Sequence, residues 1–177
     1  MIEKLLDDVN KALDADCYFA ALALALTLPD ICGKAEYPQK GTSRRYKDWY
    51  DEYIGKYEQS PLQEYKMPYL SGEVVHSLRN SLLHQGTPSI STDDIKEERN
   101  KIDHFELVIE SKKPFDTYVD AAGIQNESYR TYSVNVRRLC FVLCACARGY
   151  YKENRDKFNF FNCTIIDWDF EARMMQI

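Results

Sequence analysis

Long apolar runs are missing from this 177-residue chain: the longest, Tyr18 to Leu28, falls short of the roughly 20 residues a bilayer-spanning helix needs, and its Ala/Leu content suits a buried helix. No membrane segment is expected. Excess positive charge is missing too. The formal net charge of -5 excludes a protein that coats nucleic acid by charge alone, while leaving room for a local basic patch. The first residues, Met1-Ile2-Glu3-Lys4-Leu5-Leu6-Asp7-Asp8, interleave acids with apolar residues and lack the basic, apolar, small-residue order of a secretory signal. A cytoplasmic protein is expected.

Paired Cys-x2-Cys spacing is absent as well. The cysteines are Cys17, Cys32, Cys140, Cys144, Cys146 and Cys163, and three of them share the apolar stretch Leu139-Cys-Phe-Val-Leu-Cys-Ala-Cys-Ala147 with no histidine nearby. Reduced, packed thiols fit that pattern better than a metal site. There is no phosphate-binding Gly-rich loop and no Gly-x-Ser-x-Gly nucleophile signature, so nucleotide hydrolysis and acyl transfer have no support. No repeat or low-complexity tract interrupts the chain.

What is present points to helices around one core. With 45% hydrophobic residues, a chain of this length buries most of its apolar surface in a single domain, residues 1–177. Ile2, Leu5, Leu6, Val9 and Leu13 recur at helical spacing. Asp14-Ala-Asp16 offers a stop and a new N-cap, and a second helix is expected from about 16 to 36, kinked or restarted near Pro29 and weakened at its end by Gly33. Thr42 or Ser43 can cap a third helix to about Tyr57. Ser71 caps a fourth, with Glu73 in its first turn and Gly86 just past its end. Strands are expected at 102–110 and 161–170, with their pairing left open, and a long helix at about 128–155 between them. The fold class is therefore all-α, mainly a helical bundle, with room for a small β-hairpin insertion.

The fourth helix carries the chemistry. In Ser71-Gly-Glu-Val-Val-His-Ser-Leu-Arg-Asn-Ser-Leu-Leu-His-Gln-Gly86, Val74, Val75, Leu78 and Leu82 form the core stripe. Glu73, His76, Asn80, Leu83 and His84 lie opposite, with Arg79 on the flank. On a straight helix, Arg79 and His84 diverge by roughly 140°, so one helix is not expected to aim both at one phosphate. Two copies facing across a two-fold axis would bring His84 of one near Arg79 of the other, with Leu83 buried between them. The bland reading is that cationic side chains near a helix C-terminus interact favourably with its last carbonyls.

Arg79-Asn80-Ser-Leu-Leu-His84 resembles the signature of HEPN domains: an arginine, a polar residue, three variable residues and a histidine. The resemblance follows the helix order over about residues 1–155 but is specific only at 79–84. It implies a helical homodimer acting as a metal-independent endoribonuclease of a defence or toxin-antitoxin type, with a composite site at the dimer interface and no cofactor. Arg79, His84 and Asn80 would be the catalytic residues. RNA would be cut to 2′,3′-cyclic phosphate ends, DNA would not be cut, and an antitoxin or regulatory protein would be a further partner. A catalytically inactive dimer that binds RNA, a nucleotide or a protein is the alternative. Imidazole titrates at about 6.5, so His84 suits proton transfer near neutrality, while arginine grips phosphate in two places.

Other features have milder readings. Glu73-Val-Val-His76 matches one Glu-x-x-His element of carboxylate-bridged metal bundles, but no second copy exists, so His76 is expected to be a polar neighbour of the site or a surface residue. His104 is expected to be structural. Tyr46, Trp49, Tyr50, Tyr53 and Tyr57, beside Arg44, Arg45 and Lys47, could stack bases but more often form core, with hydroxyls at the rim. Arg137, Arg138 and Arg148 are expected on a solvated face.

Overall fold

The computed structural model describes residues 1–59, 67–115, 117–126, 128–161 and 166–175. Helix α1 (Ile2–Asp14) buries Ile2, Leu6, Val9 and Leu13 at the expected spacing. The chain turns at Asp16, whose φ of 55° is left-handed, a conformation aspartate tolerates better than most residues. The expected second helix divides into α2 (Tyr18–Ala25) and α3 (Leu28–Glu36), with Pro29 in the first turn of α3, where its missing N–H leaves no bond unmade. By length and composition, the 19 residues Tyr18–Glu36 could cross a membrane. Half of their apolar window is buried inside this fold, and the break after Ala25 interrupts them.

Helix α4 (Thr42–Tyr50) starts behind Gly41 rather than behind a Thr or Ser cap, then continues through a π-helical turn at Asp51–Gly55 into the short α5 (Lys56–Glu58). Its aromatic stripe is mostly core. Tyr46, Trp49 and Tyr50 are buried, and only Tyr57, 76% exposed, faces water fully. The Tyr46 hydroxyl is not at a rim but donates inward to the Leu26 carbonyl at 3.1 Å.

Two glycines set how closely α4 is packed. A Cβ on Gly33 of α3 would lie 2.6 Å from the Arg45 carbonyl oxygen, so α3 approaches α4 as only glycine allows. Gly33 is thus a packing residue, and α3 continues past it to Glu36. On the other side, Gly72 opens α6 (Gly72–Asn80), and a Cβ there would meet the Lys47 carbonyl at the same distance, 2.6 Å.

The sheet is larger than expected. Strand β1 (His104–Val108) falls inside 102–110, but its partner is not the 161–170 segment. The sheet order is β1-β3-β2, with β2 (Ala121–Gln125) antiparallel to β3 (Tyr129–Asn135) and β1 parallel to β3. The expected long helix therefore begins late, as α7 (Val136–Glu153), where Asn135 Oδ1 accepts the Arg138 N–H. The preceding residues alternate, burying Tyr132 and Val134, and their aromatic and β-branched side chains favour a strand. Of the second expected strand, 162–165 lie outside the described residues, and Trp168–Met174 form helix α8 with no buried residue. The result is a mainly helical fold with a small sheet between α6 and α7.

Arg137 and Arg138 are not on a solvated face. The Arg137 side chain is 6% exposed and donates to Asp16 at 2.7 Å, the Tyr18 hydroxyl at 3.2 Å and the Glu110 carbonyl at 2.9 Å. Arg138 donates to both Glu58 carboxylate oxygens at 2.9 Å and to Asp120 at 2.8 Å. Together they fasten the start of α7 to the α1–α2 turn, α5 and the β2 edge. Cys32 and Cys140 are buried, and burial pushes the Cys144 thiol up to about 11. Cys17 is exposed, contrary to the expectation of packing, and Cys163 lies outside the described residues.

Candidate functional site

Helix α6 is fixed at its N-terminal end. Ser71 Oγ accepts the Val74 N–H at 3.3 Å, and Asp51, from the π turn after α4, accepts the Gly72 N–H at 2.7 Å. Val74, Val75 and Leu78 anchor the apolar face in the core, leaving Arg79 and Asn80 half-buried on the other side.

The helix then widens into a π-helical turn at Ser81–Gln85, closed by Gly86 at a left-handed φ of 71°. This turn corrects the straight-helix expectation. Bonds from i to i+5 rotate each residue by less than the roughly 100° of an α-helix, so His84 stays on the side of Arg79. Arg79 Nη1 lies 3.2 Å from His84 Nε2 within one chain. A second copy is not needed to bring them together.

The pair is the outer end of a four-residue chain. Arg79 Nη1 also donates to Asn80 Oδ1 at 3.0 Å, and Asn80 Nδ2 lies 3.3 Å from His76 Nδ1. Arginine can only donate, which fixes every direction: His84 Nε2 accepts from Arg79, and His76 Nδ1 accepts from the Asn80 amide. His76 in turn packs edge-on against the buried Tyr46 ring at 5.1 Å. Arg79 Nε is buried and has no hydrogen-bond partner among the described residues, so its guanidinium is held at the outer nitrogen. His84 is exposed, and so is Leu83 at 38%.

Burial, with the charges of Lys47 and Arg79, pushes His76 down to about 4. His76 is therefore neutral wherever the fold is intact near neutrality, which keeps Nδ1 available to Asn80. The sign of the pH effect follows. Between about 6.5 and 4 the unfolded chain binds a proton at His76 that the folded chain refuses, so stability falls as pH drops through that window. His76→Gln is expected to flatten the pH dependence of urea unfolding there by about 1–2 kcal/mol relative to the unmodified protein, less than the whole shift because water screens part of the ring. Equal pH slopes in the two proteins would show that His76 titrates normally.

The Glu-x-x-His element has another use. Glu73 Oε2 accepts from the Glu97 N–H at 3.2 Å and Asn100 Nδ2 at 3.3 Å, and its other oxygen is 3.8 Å from Lys47 Nζ. Glu73 thus ties the 97–100 turn to α6. No metal-sized group of three or more His, Cys, Asp and Glu residues occurs among the described residues. His104 pairs with Glu106 at 2.9 Å on exposed β1. The α4 cations are ion-paired, Arg44 with Asp48, Arg45 with Asp30 and Lys47 with Glu73.

Arg79, Asn80 and His84, singled out in the sequence, are thus brought together, and His76 joins them through Asn80. Its spacing of four residues from Asn80 was the available signal. No family model matches the chain, and neither curated proteins nor solved structures give a match.

Proposed function

We propose that this chain is a HEPN-like, metal-independent endoribonuclease, cytoplasmic and acting as a homodimer in a defence or toxin-antitoxin setting. The observation that carries the reading is the 3.2 Å approach of Arg79 Nη1 to His84 Nε2 at an exposed helix end. A phosphate reaching that end meets a guanidinium already held beside an imidazole. As Arg79 turns its donors to the phosphate, His84 Nε2 is released and takes the proton of the neighbouring 2′-hydroxyl. The 2′-oxygen attacks phosphorus, the bond to the 5′-oxygen breaks, and solvent protonates the leaving oxygen. Arg79 stabilises the charge that builds on the phosphoryl oxygens. The products carry a 2′,3′-cyclic phosphate and a 5′-hydroxyl, and DNA, lacking the attacking group, is spared. Leu83, exposed beside His84, suits the contact between copies, which would set two such pairs on one RNA.

The same contact favours a second reading, a silent dimer that binds RNA, a nucleotide or a protein, because Arg79 occupies the imidazole nitrogen that base catalysis needs. Incubating a mixed RNA pool with excess chelator separates the two. Cyclic phosphate ends made by the unmodified protein and not by His84→Ala are expected. Intact RNA from a folded dimer would sink the ribonuclease reading in favour of the silent one.

A further inference from the structure

A second feature lies one helix away from Arg79 and His84. Asp30, Ile31, Lys34, Arg45, Phe160 and Phe161 line a cavity of about 310 Å³, at the lower end of the size that holds a small ligand. Phe160 and Phe161 are half-buried, their ring centroids 4.6 Å apart and tilted by 41°, and both rest on the buried Phe158. This is an aromatic wedge with a firm backing and an open side. The Lys34 ammonium stands over the Phe160 ring, 4.6 Å from its centroid, a contact that an incoming base would replace.

Charge in the cavity is unbalanced. Arg45 Nε and Nη2 both donate to Asp30 Oδ1, at 3.0 and 2.9 Å, and neutralise it. Lys34 is exposed and has no carboxylate partner among the described residues, so the lining carries one net positive charge. Apolar, polarisable ring faces beside one cation without a carboxylate partner offer the chemistry that holds a nucleotide of a single strand, the base on a ring and the phosphate on the ammonium.

Helix α4 runs between the cavity and His76. Arg45 of α4 lines it, and the next residue, Tyr46, packs on His76. The Asp30 carboxylate is close enough to act on both His76 and Tyr46.

We infer that this cavity is a subsite for single-stranded RNA, stacking one base against Phe160 and Phe161 and pairing its phosphate with Lys34, upstream or downstream of the scissile bond. The inference rests on the ribonuclease reading for its ligand class. Stacking is indifferent to base identity, so the subsite adds affinity rather than sequence choice. It also supplies cavity-lining aromatic rings, which the buried residues of α4 do not.

The test is fluorescence anisotropy with a fluorescein-labelled 2′-O-methyl oligoribonucleotide, which cannot be cut because its attacking hydroxyl is blocked. Phe160→Leu, which keeps apolar contact with Phe158 but loses the flat ring, is expected to weaken binding on the order of tenfold. Lys34→Gln, on an exposed side chain, is expected to reduce the slope of log affinity against log salt by about 0.7, the mark of one lost phosphate contact on a single strand. Unchanged affinity and slope in both variants, with the unmodified protein still binding, would overturn the subsite and leave the ribonuclease reading standing. Absence of binding by the unmodified protein would overturn both. Losses in both variants by a protein that cuts no RNA would uphold the subsite and sink the ribonuclease reading alone.

Discussion

Arg79→Ala is expected to lower RNA cleavage by about 10²- to 10³-fold, and Arg79→Lys by nearly as much, in single-turnover assays with chelator present. Lysine keeps the charge but not the planar fork. Arg79 reaches both Asn80 Oδ1 and His84 Nε2 from Nη1, and with Nε buried it is Nη2 that is left to face a phosphate. An ammonium at the end of a flexible stem would satisfy one of those partners at a time. His84→Ala is expected to cost about 10²- to 10⁴-fold, the usual worth of a positioned acid or base. If the two groups act on one phosphate, as proposed, the double variant should be little worse than the poorer single one. Multiplying losses would mean that they act independently, and full activity in Arg79→Lys would remove the guanidinium from the chemistry.

Gly72→Ala is expected to destabilise the fold by about 2–3 kcal/mol, although alanine favours a helix by itself. The added methyl would sit 2.6 Å from the Lys47 carbonyl and 2.9 Å from Asp51 Oδ2, and the first of these is backbone that cannot swing away. Moving α6 outward would also stretch the Asp51 bond to the Gly72 N–H that caps the helix. For a chain of this size, the expected drop in melting temperature is roughly 5–10 °C. Gly149→Ala provides the contrast. It lies on the exposed side of α7 with nothing within 4 Å of a new Cβ, and should raise stability by about 0.5–1 kcal/mol. A Gly72→Ala protein melting with the unmodified one would mean that α4 and α6 are less tightly joined than the 2.6 Å approach requires.

Helix positions were legible wherever local chemistry decides them. The spacing of Ile2, Leu6, Val9 and Leu13, the Ser71 cap, the Pro29 break and Gly86 each act within one or two turns of chain, and each falls where expected. The strand Tyr129–Asn135 was not legible, because its seven residues run without a turn signal into α7 and their period of two shows only in Tyr132 and Val134. Arg137 and Arg138 read as surface cations because the groups that bury them lie far away in the chain, Asp16, Tyr18, Glu58, Glu110 and Asp120. Pairing across such separations leaves no local trace.

The candidate site shows the same division. The residue types of Arg79, Asn80 and His84 mark it in the sequence, but the assumption of constant helical pitch sends two of them apart. In the widened turn Ser81 is buried and Leu82 packs against the core, while Leu83 and His84 remain outside. The sequence pattern identifies the apolar residues, not the number of residues used to complete the turn.

That widened turn makes the meeting of arginine and histidine a matter of count as well as identity. With Leu83 deleted and ordinary helical pitch restored, Arg79 and His84 would stand four residues apart, roughly 40° around the helix, and would still meet. Among variants of this protein, a single-codon deletion there would keep the pair while breaking the spacing of the signature, so the arrangement would outlast the sequence pattern that marks it.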